Sequence, residues 1–237
     1  MTVDPLVLVV EVDRATDRLL DTATRLDEPA VRGPSLLPGW SRGHVLTHLA
    51  RQADAQVNML TSARTGEHLP AYRSEEARAA DIAAGADRSP ADLLADLRTA
   101  TERLTDAIEA MPPEAWAATV TGRRGPQPAA TLMWARLREV EVHHVDLDAG
   151  YAPADWPAAF AHHLLHEVVA DLGRRPDAPA MVLRPADGRE LTVGEPEGAP
   201  TISGPAPVLA AWLVGRSGAA GLTVTPDDAL PTPPEWI

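Results

Sequence analysis

Apolar residues recur at helical spacing in four long stretches of the chain. Ser41 and Ser89 stand at the starts of two of them, where a serine side chain caps a helix, and proline or glycine interrupts the pattern between stretches. Four such helices predict a four-helix bundle, whose core is a common place for metal ligands from facing helices. The stretches are Leu6–Leu26, Ser41–Ala63, Ser89–Met111 and Thr131–Gly150.

After Gly173 the helical spacing gives way to short β-like runs. Two of these runs flank Pro185, Asp187 and Gly188, which predicts a hairpin. Helices followed by strands are typical of an α+β fold. We therefore predict two domains, a helical bundle over residues 1–173 and a small α+β domain over residues 174–237. The predicted elements of the second domain are strands at Ala180–Arg184, Glu190–Gly194, Thr201–Ser203 and Gly221–Thr225, with a short helix at Pro205–Val214.

The stretch Thr131–Gly150 carries polar residues where a bundle helix should be apolar. At about 100° per residue, Arg138 and Glu141 point away from its apolar face, but four other polar residues fall inside that face. Because an uncompensated buried charge costs several kcal/mol, this column must be paired, protonated or bound to a ligand. The pattern therefore indicates function. The four residues are Arg136, Glu139, His143 and Asp146.

Glu139 and His143 lie one turn apart, so both side chains can reach one metal ion. A third ligand is available in the segment PGWSRGHVLTHLA, where Ser41 begins a helix that carries His44 and His48. If the two helices pack together, His48, Glu139 and His143 supply three ligands and leave a fourth position open, as in catalytic zinc sites.

Three alternatives remain open. The trio can be ordinary helix residues that Arg136 and Asp146 satisfy, because the spacing E-x-x-x-H is frequent in helices. A slip of register would replace the pair with Glu141 and His144, although Glu141 is predicted to face outward. A further cluster on the segment Trp156–Gly173 also has metal-ligand spacing, but its apolar residues suffice to explain a helix with histidines at its margin. Its members are His162, His163, His166 and Glu167.

Composition limits the ligands and partners that the protein is expected to bind. The formal net charge of −13 disfavours nucleic acids and anionic membranes, so an anionic ligand must be met by locally placed arginines. There is no cysteine, which excludes disulfides, Cys-ligated zinc and a cysteine nucleophile; any thiol chemistry requires an imported thiol. The short apolar run at Leu6–Val10 resembles neither a signal peptide nor a membrane span. We expect a cytoplasmic monomer.

The segments that carry these features also carry a resemblance to a known family. The chain resembles the mycothiol-dependent maleylpyruvate isomerases of the DinB-like metal-binding superfamily through PGWSRGHVLTHLA, LPAYRSEEAR, TLMWARLREVEVHHVDL, AAWLVGRSG and the terminal PPEWI. The resemblance implies a DinB-like helical bundle followed by a C-terminal α/β domain similar to sterol-carrier modules. It also implies zinc ligands at His48, Glu139 and His143, and substrate-handling arginines at Arg78 and Arg216.

By the same resemblance, the expected activity is the isomerisation of maleylpyruvate to fumarylpyruvate in aromatic (gentisate) degradation, with mycothiol as the thiol cofactor. The expected partners are a small dicarboxylate and a low-molecular-weight thiol. Two other functions stay open. A related enzyme would transfer mycothiol to a different electrophile, and a non-catalytic bundle would bind metal without thiol-dependent turnover. The sequence alone favours a solvated helix charge at Arg78 over an anion clamp.

Overall fold

The computed structural model describes residues 5–122, 125–226 and 229–236, and divides the chain into two compact units, Met1–Gly150 and Tyr151–Ile237. The first unit is helical and the second combines helices with a four-stranded sheet, so the predicted α+β class is confirmed. The helices of the first unit are α1 (Pro5–Thr24), α2 (Glu28–Arg32), α3 (Arg42–Thr65), α4 (Glu75–Ala86), α5 (Pro90–Glu109) and α6 (Thr131–Asp146).

The four long helices α1, α3, α5 and α6 form the predicted bundle. Helix α3 packs against α5 and α6, and α1 packs against the same two helices from the other side. Leucines fill the space between them, and each fully buried leucine contributes roughly 1.5 to 3 kcal/mol relative to an exposed one. This apolar core holds the helices that carry the predicted ligands. Among its fully buried members are Leu19, Leu49, Leu97, Leu104 and Leu132.

Helix α4 lies close to α3 because a glycine permits it. A side chain at Gly43 would collide with the carbonyl group of Ala86 at the end of α4. Ser74 caps α4 by accepting a hydrogen bond from the backbone N–H of Ala77. The cap and the close approach together fix the helix on which Arg78 lies.

Helix α6 is covered on two sides, which corrects one sequence expectation. Arg138 and Glu141 were predicted to point away from the core, yet both are buried. The reason is that α1 packs on that side of α6, and Arg18 of α1 pairs with Glu141 at 2.6 Å. A polar residue on the second face of a bundle helix thus meets another helix instead of water.

The connection from α5 to α6 contains more structure than its prolines and glycines suggested. A short 3-10 helix at Pro113–Ala117 is followed by an antiparallel pair, β1 (Thr119–Gly122) and β2 (Gly125–Pro128). The alternation of exposed and buried residues is weak there, since only Val120 is buried among the described residues of the pair. The hydrophobic pattern therefore carried little sign of these strands.

The second unit contains α7 (Ala158–Leu172), α8 (Ala206–Leu213) and a sheet in the order β4-β3-β5-β6. The predicted hairpin is present as β3 (Met181–Pro185) and β4 (Leu191–Val193), and β5 (Thr201–Gly204) pairs parallel to β3 and antiparallel to β6 (Thr223–Thr225). Because α7 packs against α8, it belongs to this unit. The boundary expected after Gly173 thus falls before α7. No helix in the described ranges has the length and apolar character needed to cross a membrane.

Candidate functional site

The predicted ligands His48, Glu139 and His143 come together between α3 and α6. His48 Nε2 lies 3.0 Å from Glu139 Oε2 and 3.1 Å from His143 Nε2, and the remaining pair, His143 Nε2 and Glu139 Oε2, is 3.4 Å apart. One ligand atom from each residue lies within 4.8 Å of the others. Two imidazole nitrogens and one carboxylate oxygen at this spacing fit a divalent ion such as zinc.

The trio is partly open to solvent. His48 is buried, but 24% of the Glu139 side chain and 16% of the His143 side chain are exposed. A wholly buried polar cluster would serve the core alone, whereas this one can be reached by a small ligand. That difference favours a binding site over the alternative in which the trio is simply satisfied core.

His48 is positioned by the start of α3. Ser41 accepts a hydrogen bond from the backbone N–H of His44, and His44 Nδ1 accepts one from the backbone N–H of Ser41, so the two residues form a capping box. The ring of Trp40 stacks on His44 and meets His48 edge-on, with centroids 6.0 and 5.6 Å away. His44 therefore caps the helix, and Trp40 supports the ligand one turn later.

Asp146 orients His143. Its carboxylate is fully buried, and Oδ2 lies 2.8 Å from His143 Nδ1, at the distance of a charge-assisted hydrogen bond. When the ring is neutral, an Nδ1–H donated to this oxygen leaves the lone pair of Nε2 facing Glu139 and His48. Metal-binding histidines commonly have such a carboxylate partner. The i,i+3 spacing of His143 and Asp146 was the sequence signal for it.

The environment shifts the pKa values of all three candidate ligands. Burial lowers the pKa of His48 to about 4, so this imidazole is neutral. Burial also opposes charge on the other two residues, but hydrogen bonds outweigh it: His143 and His48 hold the pKa of Glu139 well below its usual range, and Asp146 and Glu139 raise the pKa of His143 to about 9. The site thus presents an anionic oxygen and one neutral nitrogen, and His143 must release a proton to become a ligand.

Three buried hydrogen bonds fix α3 against α6. Arg136 Nη1 donates to the carbonyl oxygen of Leu49 at 3.0 Å and to Gln52 Oε1 at 2.7 Å. Gln56 Nε2 donates to the carbonyl oxygen of Leu132 at 3.0 Å. Arg136 therefore hydrogen-bonds across the helix pair, and in the described part of the chain it donates no hydrogen bond to the trio, although its charge attracts Glu139. Sequence reasoning missed both glutamines, because the pattern of α3 does not reveal which backbone groups its polar residues will meet.

Arg78 reaches the trio from α4. Its Nη2 lies 3.2 Å from His48 Nδ1, and its guanidinium stands 5.5 Å from the centre of the Tyr72 ring. Its Nε is buried and has no hydrogen-bond partner among the residues that the structure describes, and no carboxylate in that part of the chain pairs with it. A guanidinium with unused donors beside a candidate metal centre can bind an anion.

Arg216 lies in the second unit, just after α8. Gly215 there has a φ of 73°, and Arg216 donates from Nη1 to the carbonyl oxygen of Val214 at 2.8 Å. Its backbone N–H also bonds to the carbonyl oxygen of Ala211 at 2.8 Å. The side chain is thus held at the end of α8, and its predicted role in substrate handling stays a prediction.

The rival ligand sets are placed elsewhere. His162 pairs with the exposed Asp187 at 3.1 Å on the surface of the second unit. His144 lies 2.8 Å from the hydroxyl of Thr22, and Glu141 is engaged by Arg18, so that pair faces α1. Among the described residues, His48, Glu139 and His143 form the one cluster of three with metal-ligand spacing.

Two family models together match most of the chain. A model described as the mycothiol maleylpyruvate isomerase N-terminal domain matches residues 12–148, and the MDMPI C-terminal domain model matches residues 155–235. No curated protein matches the sequence.

Two solved structures are similar over almost the full length. One is a crystal structure of the mycothiol-dependent maleylpyruvate isomerase, with 28% identity and a TM-score of 0.93, covering 99% of this chain and 98% of that one. The other is a histidine-to-alanine mutant of that isomerase, with 27% identity, a TM-score of 0.92 and the same coverage. The chain therefore belongs to the mycothiol-dependent maleylpyruvate isomerase family.

Proposed function

We propose that this protein is a mycothiol-dependent cis-trans isomerase that converts maleylpyruvate to fumarylpyruvate. The observation that carries the proposal is the partly open trio His48, Glu139 and His143 in a chain of this family. Two nitrogens and one oxygen leave one position of a tetrahedral ion for an outside ligand, as in catalytic zinc sites. Zinc, when bound there, would stabilise the thiolate form of the cofactor and make its sulfur nucleophilic near neutral pH.

The chemistry requires a nucleophile that adds to the substrate and then leaves it. When bound, the cofactor would supply a thiolate that adds to the cis double bond, allows rotation about the resulting single bond and then leaves as the trans double bond forms, with no net change in atoms. Because the chain contains no cysteine, the sulfur must come from the cofactor.

The two arginines are proposed to bind the substrate carboxylates. A guanidinium can hold a carboxylate through two parallel hydrogen bonds, and a protein of net charge −13 needs such local contacts to bind a dianion. The Nε of Arg78 has no hydrogen-bond partner among the described residues, which supports this role because a buried donor without a partner is costly. The role of Arg216 rests on the family resemblance.

An assay of the purified, zinc-loaded protein with maleylpyruvate tests the proposal. Formation of the trans isomer, followed by proton NMR, should require mycothiol and should stop when a chelator removes the metal. The variant His166→Ala is the matched control, because it alters a histidine outside the trio and should keep full turnover. Metal binding without thiol-dependent turnover would contradict the proposal and favour a non-catalytic bundle. Turnover of mycothiol with a different electrophile alone would favour a transferase.

A further inference from the structure

The hydrogen bonds of Arg136 lie within one turn of the candidate ligands on both helices. On α6, Arg136 precedes Glu139 by one turn. On α3, its Nη1 donates to the carbonyl oxygen of Leu49 at 3.0 Å and to Gln52 Oε1 at 2.7 Å, and Gln52 follows His48 by one turn. Because one candidate ligand comes from α3 and two come from α6, the distances within the trio depend on how these helices are placed against each other.

Arg136 is an unfavourable residue for the core in which it lies. Its side chain is fully buried, and both of its hydrogen-bond acceptors are uncharged. Its Nε and Nη2 have no hydrogen-bond partner among the residues that the structure describes. Burial lowers the pKa of the guanidinium to about 10, which still leaves the group charged at neutral pH. Since an apolar side chain at such a position commonly packs at least as stably, stability does not explain an arginine here.

The spacing of polar residues on α3 does not determine its register against α6. His44, His48 and Gln52 follow one another at intervals of four residues. A shift of α3 by one turn, about 5.4 Å, would present His44 to the ligands on α6 and place His48 opposite Arg136. The guanidinium would then lose the amide oxygen, which has two lone pairs, and face an imidazole, which has at most one acceptor nitrogen. The hydrogen bonds of Arg136 therefore favour the observed register over the shifted one.

We infer that Arg136 and Gln52 form a register lock that positions His48 against the two candidate ligands on α6. The backbone carbonyl group of Leu49 is the third member of this lock. The inference rests on the proposed function, since the metal centre belongs to that function, and it adds residues that contact neither the metal position nor the substrate. Arg136 is thus a positioning residue. A guanidinium suits the role because its planar, directed donors fix geometry more closely than apolar packing does.

The test uses the full-length protein with cobalt(II) as the probe, because the visible absorption of this ion reports its coordination geometry. Gln52→Leu and Arg136→Met should each weaken cobalt binding about tenfold or more, the usual effect of losing a group that supports a metal ligand, and should reduce the intense bands of a four-coordinate ion. The double variant should regain stability in urea, because it leaves neither polar side chain without its partner, but not the wild-type spectrum. Gln52→Glu keeps an acceptor for Arg136 and should keep that spectrum.

Gln56→Leu is the matched control. It removes the hydrogen bond from Gln56 to the carbonyl oxygen of Leu132, which joins the same two helices one turn further from the trio. This variant should lose stability in urea, yet its cobalt affinity should stay within twofold of wild type and its spectrum should be unchanged. A role in stability alone would instead give Gln56→Leu and Gln52→Leu the same effect on the cobalt site.

The outcomes separate this inference from the proposed function. Equal changes of the spectrum in Gln56→Leu and Gln52→Leu would overturn the register lock, as would cobalt binding that is unchanged in every lock variant; isomerisation by the wild type would then still stand. Cobalt binding that depends on the lock, in a protein that does not isomerise maleylpyruvate, would refute only the proposed function. Wild-type protein that binds no cobalt would overturn both.

Discussion

The Asp146 carboxylate determines which nitrogen of His143 faces the other two candidate ligands. A hydrogen bond of 2.8 Å holds the Nδ1 side of the ring. Since Asp146 is fully buried, water does not compete for that bond. The geometry of the trio thus depends on a residue that contacts the ring on the side away from the metal position.

Replacing this carboxylate should weaken the metal site without removing a ligand. Asp146→Asn keeps the shape but loses the charge that orients the ring, so metal affinity should fall about 10- to 100-fold, the usual effect of losing such a partner. Competition with a chelator of known affinity measures the change. Asp148→Asn is the control, because Asp148 is exposed and does not contact His143. Equal affinities for the two variants would show that Asp146 has no orienting role.

Removing a candidate ligand should lower metal affinity more than removing the Asp146 carboxylate that orients His143. His48→Ala, Glu139→Ala and His143→Ala should each lose the bound metal and the activity, while circular dichroism shows the helical content largely kept, because the apolar core is unchanged. Metal content by mass spectrometry is the measurement. His162→Ala should retain the metal. Full occupancy in all three trio variants would refute the site.

Metal affinity should depend on pH through His143. Its raised pKa of about 9 means that a proton occupies the imidazole at neutral pH, and the metal must displace it. The facing groups are Glu139, Asp146, His48 and, beyond His48, Arg78. Affinity should therefore rise about tenfold per pH unit between pH 6 and 8, with close to one proton released per ion, as calorimetry in buffers of different ionisation enthalpy can measure. An affinity independent of pH over this range would contradict the assignment.

At the level of elements, α6 is a helix with two polar faces. One face carries Glu139, His143 and Asp146, and the other carries Glu141 in its pair with Arg18 of α1. Sequence periodicity predicted the helices of the bundle well, because each must bury a continuous apolar stripe. It could not show that the second face is also covered, since that depends on where α1 packs.

The ion pair of Arg18 with Glu141 should stabilise the folded protein and have little effect on metal binding. Arg18→Met removes a cation that pairs with the buried Glu141. Breaking a fully buried pair costs about 3 to 5 kcal/mol; here about 2 kcal/mol is expected because Arg18 is partly exposed. Urea denaturation measures the loss. The double variant with Glu141→Leu should recover most of it. If Arg18→Met lowered metal affinity as strongly as His143→Ala, the two faces would not be independent.

The sequence also predicted part of the candidate site. Helical spacing joins Glu139 to His143, and a capped helix supplies His48, so the trio follows from local patterns. The contacts of Arg78 with Tyr72 and His48 do not follow, because a loop without periodicity sets the position of α4. The capping role of His44 was also hidden, since a histidine one turn before a ligand has the same spacing as a second ligand.

At the level of the whole molecule, the two proposed substrate arginines lie in different compact units, Arg78 in the first and Arg216 in the second. The metal ligands all lie in the first. The proposed contribution of Arg216 to substrate binding can therefore be perturbed without altering the unit that holds the candidate ligands. Domain assignment by sequence placed α7 with the bundle because it is a helix, whereas its packing partner α8 lies far along the chain.

Arg216→Ala should impair use of maleylpyruvate and leave mycothiol affinity nearly intact. Loss of a charge-assisted contact costs roughly 2 to 5 kcal/mol when the partner charge stays buried, so kcat/KM for maleylpyruvate should fall at least tenfold. Arg216→Lys should recover only part of this, because lysine keeps the charge but not the planar fork. Steady-state kinetics that vary each reactant in turn decide the matter. A change confined to the mycothiol dependence would assign Arg216 to the cofactor.

The unit boundary at Gly150 has a consequence for the evolution of the chain. The unit before it contains His48, Glu139, His143 and Asp146, together with the hydrogen bonds between α3 and α6. A gene rearrangement with its breakpoint there would transmit the whole candidate metal centre as one piece and replace only the second unit. Such an exchange would change the residues that the second unit contributes without rebuilding the bundle.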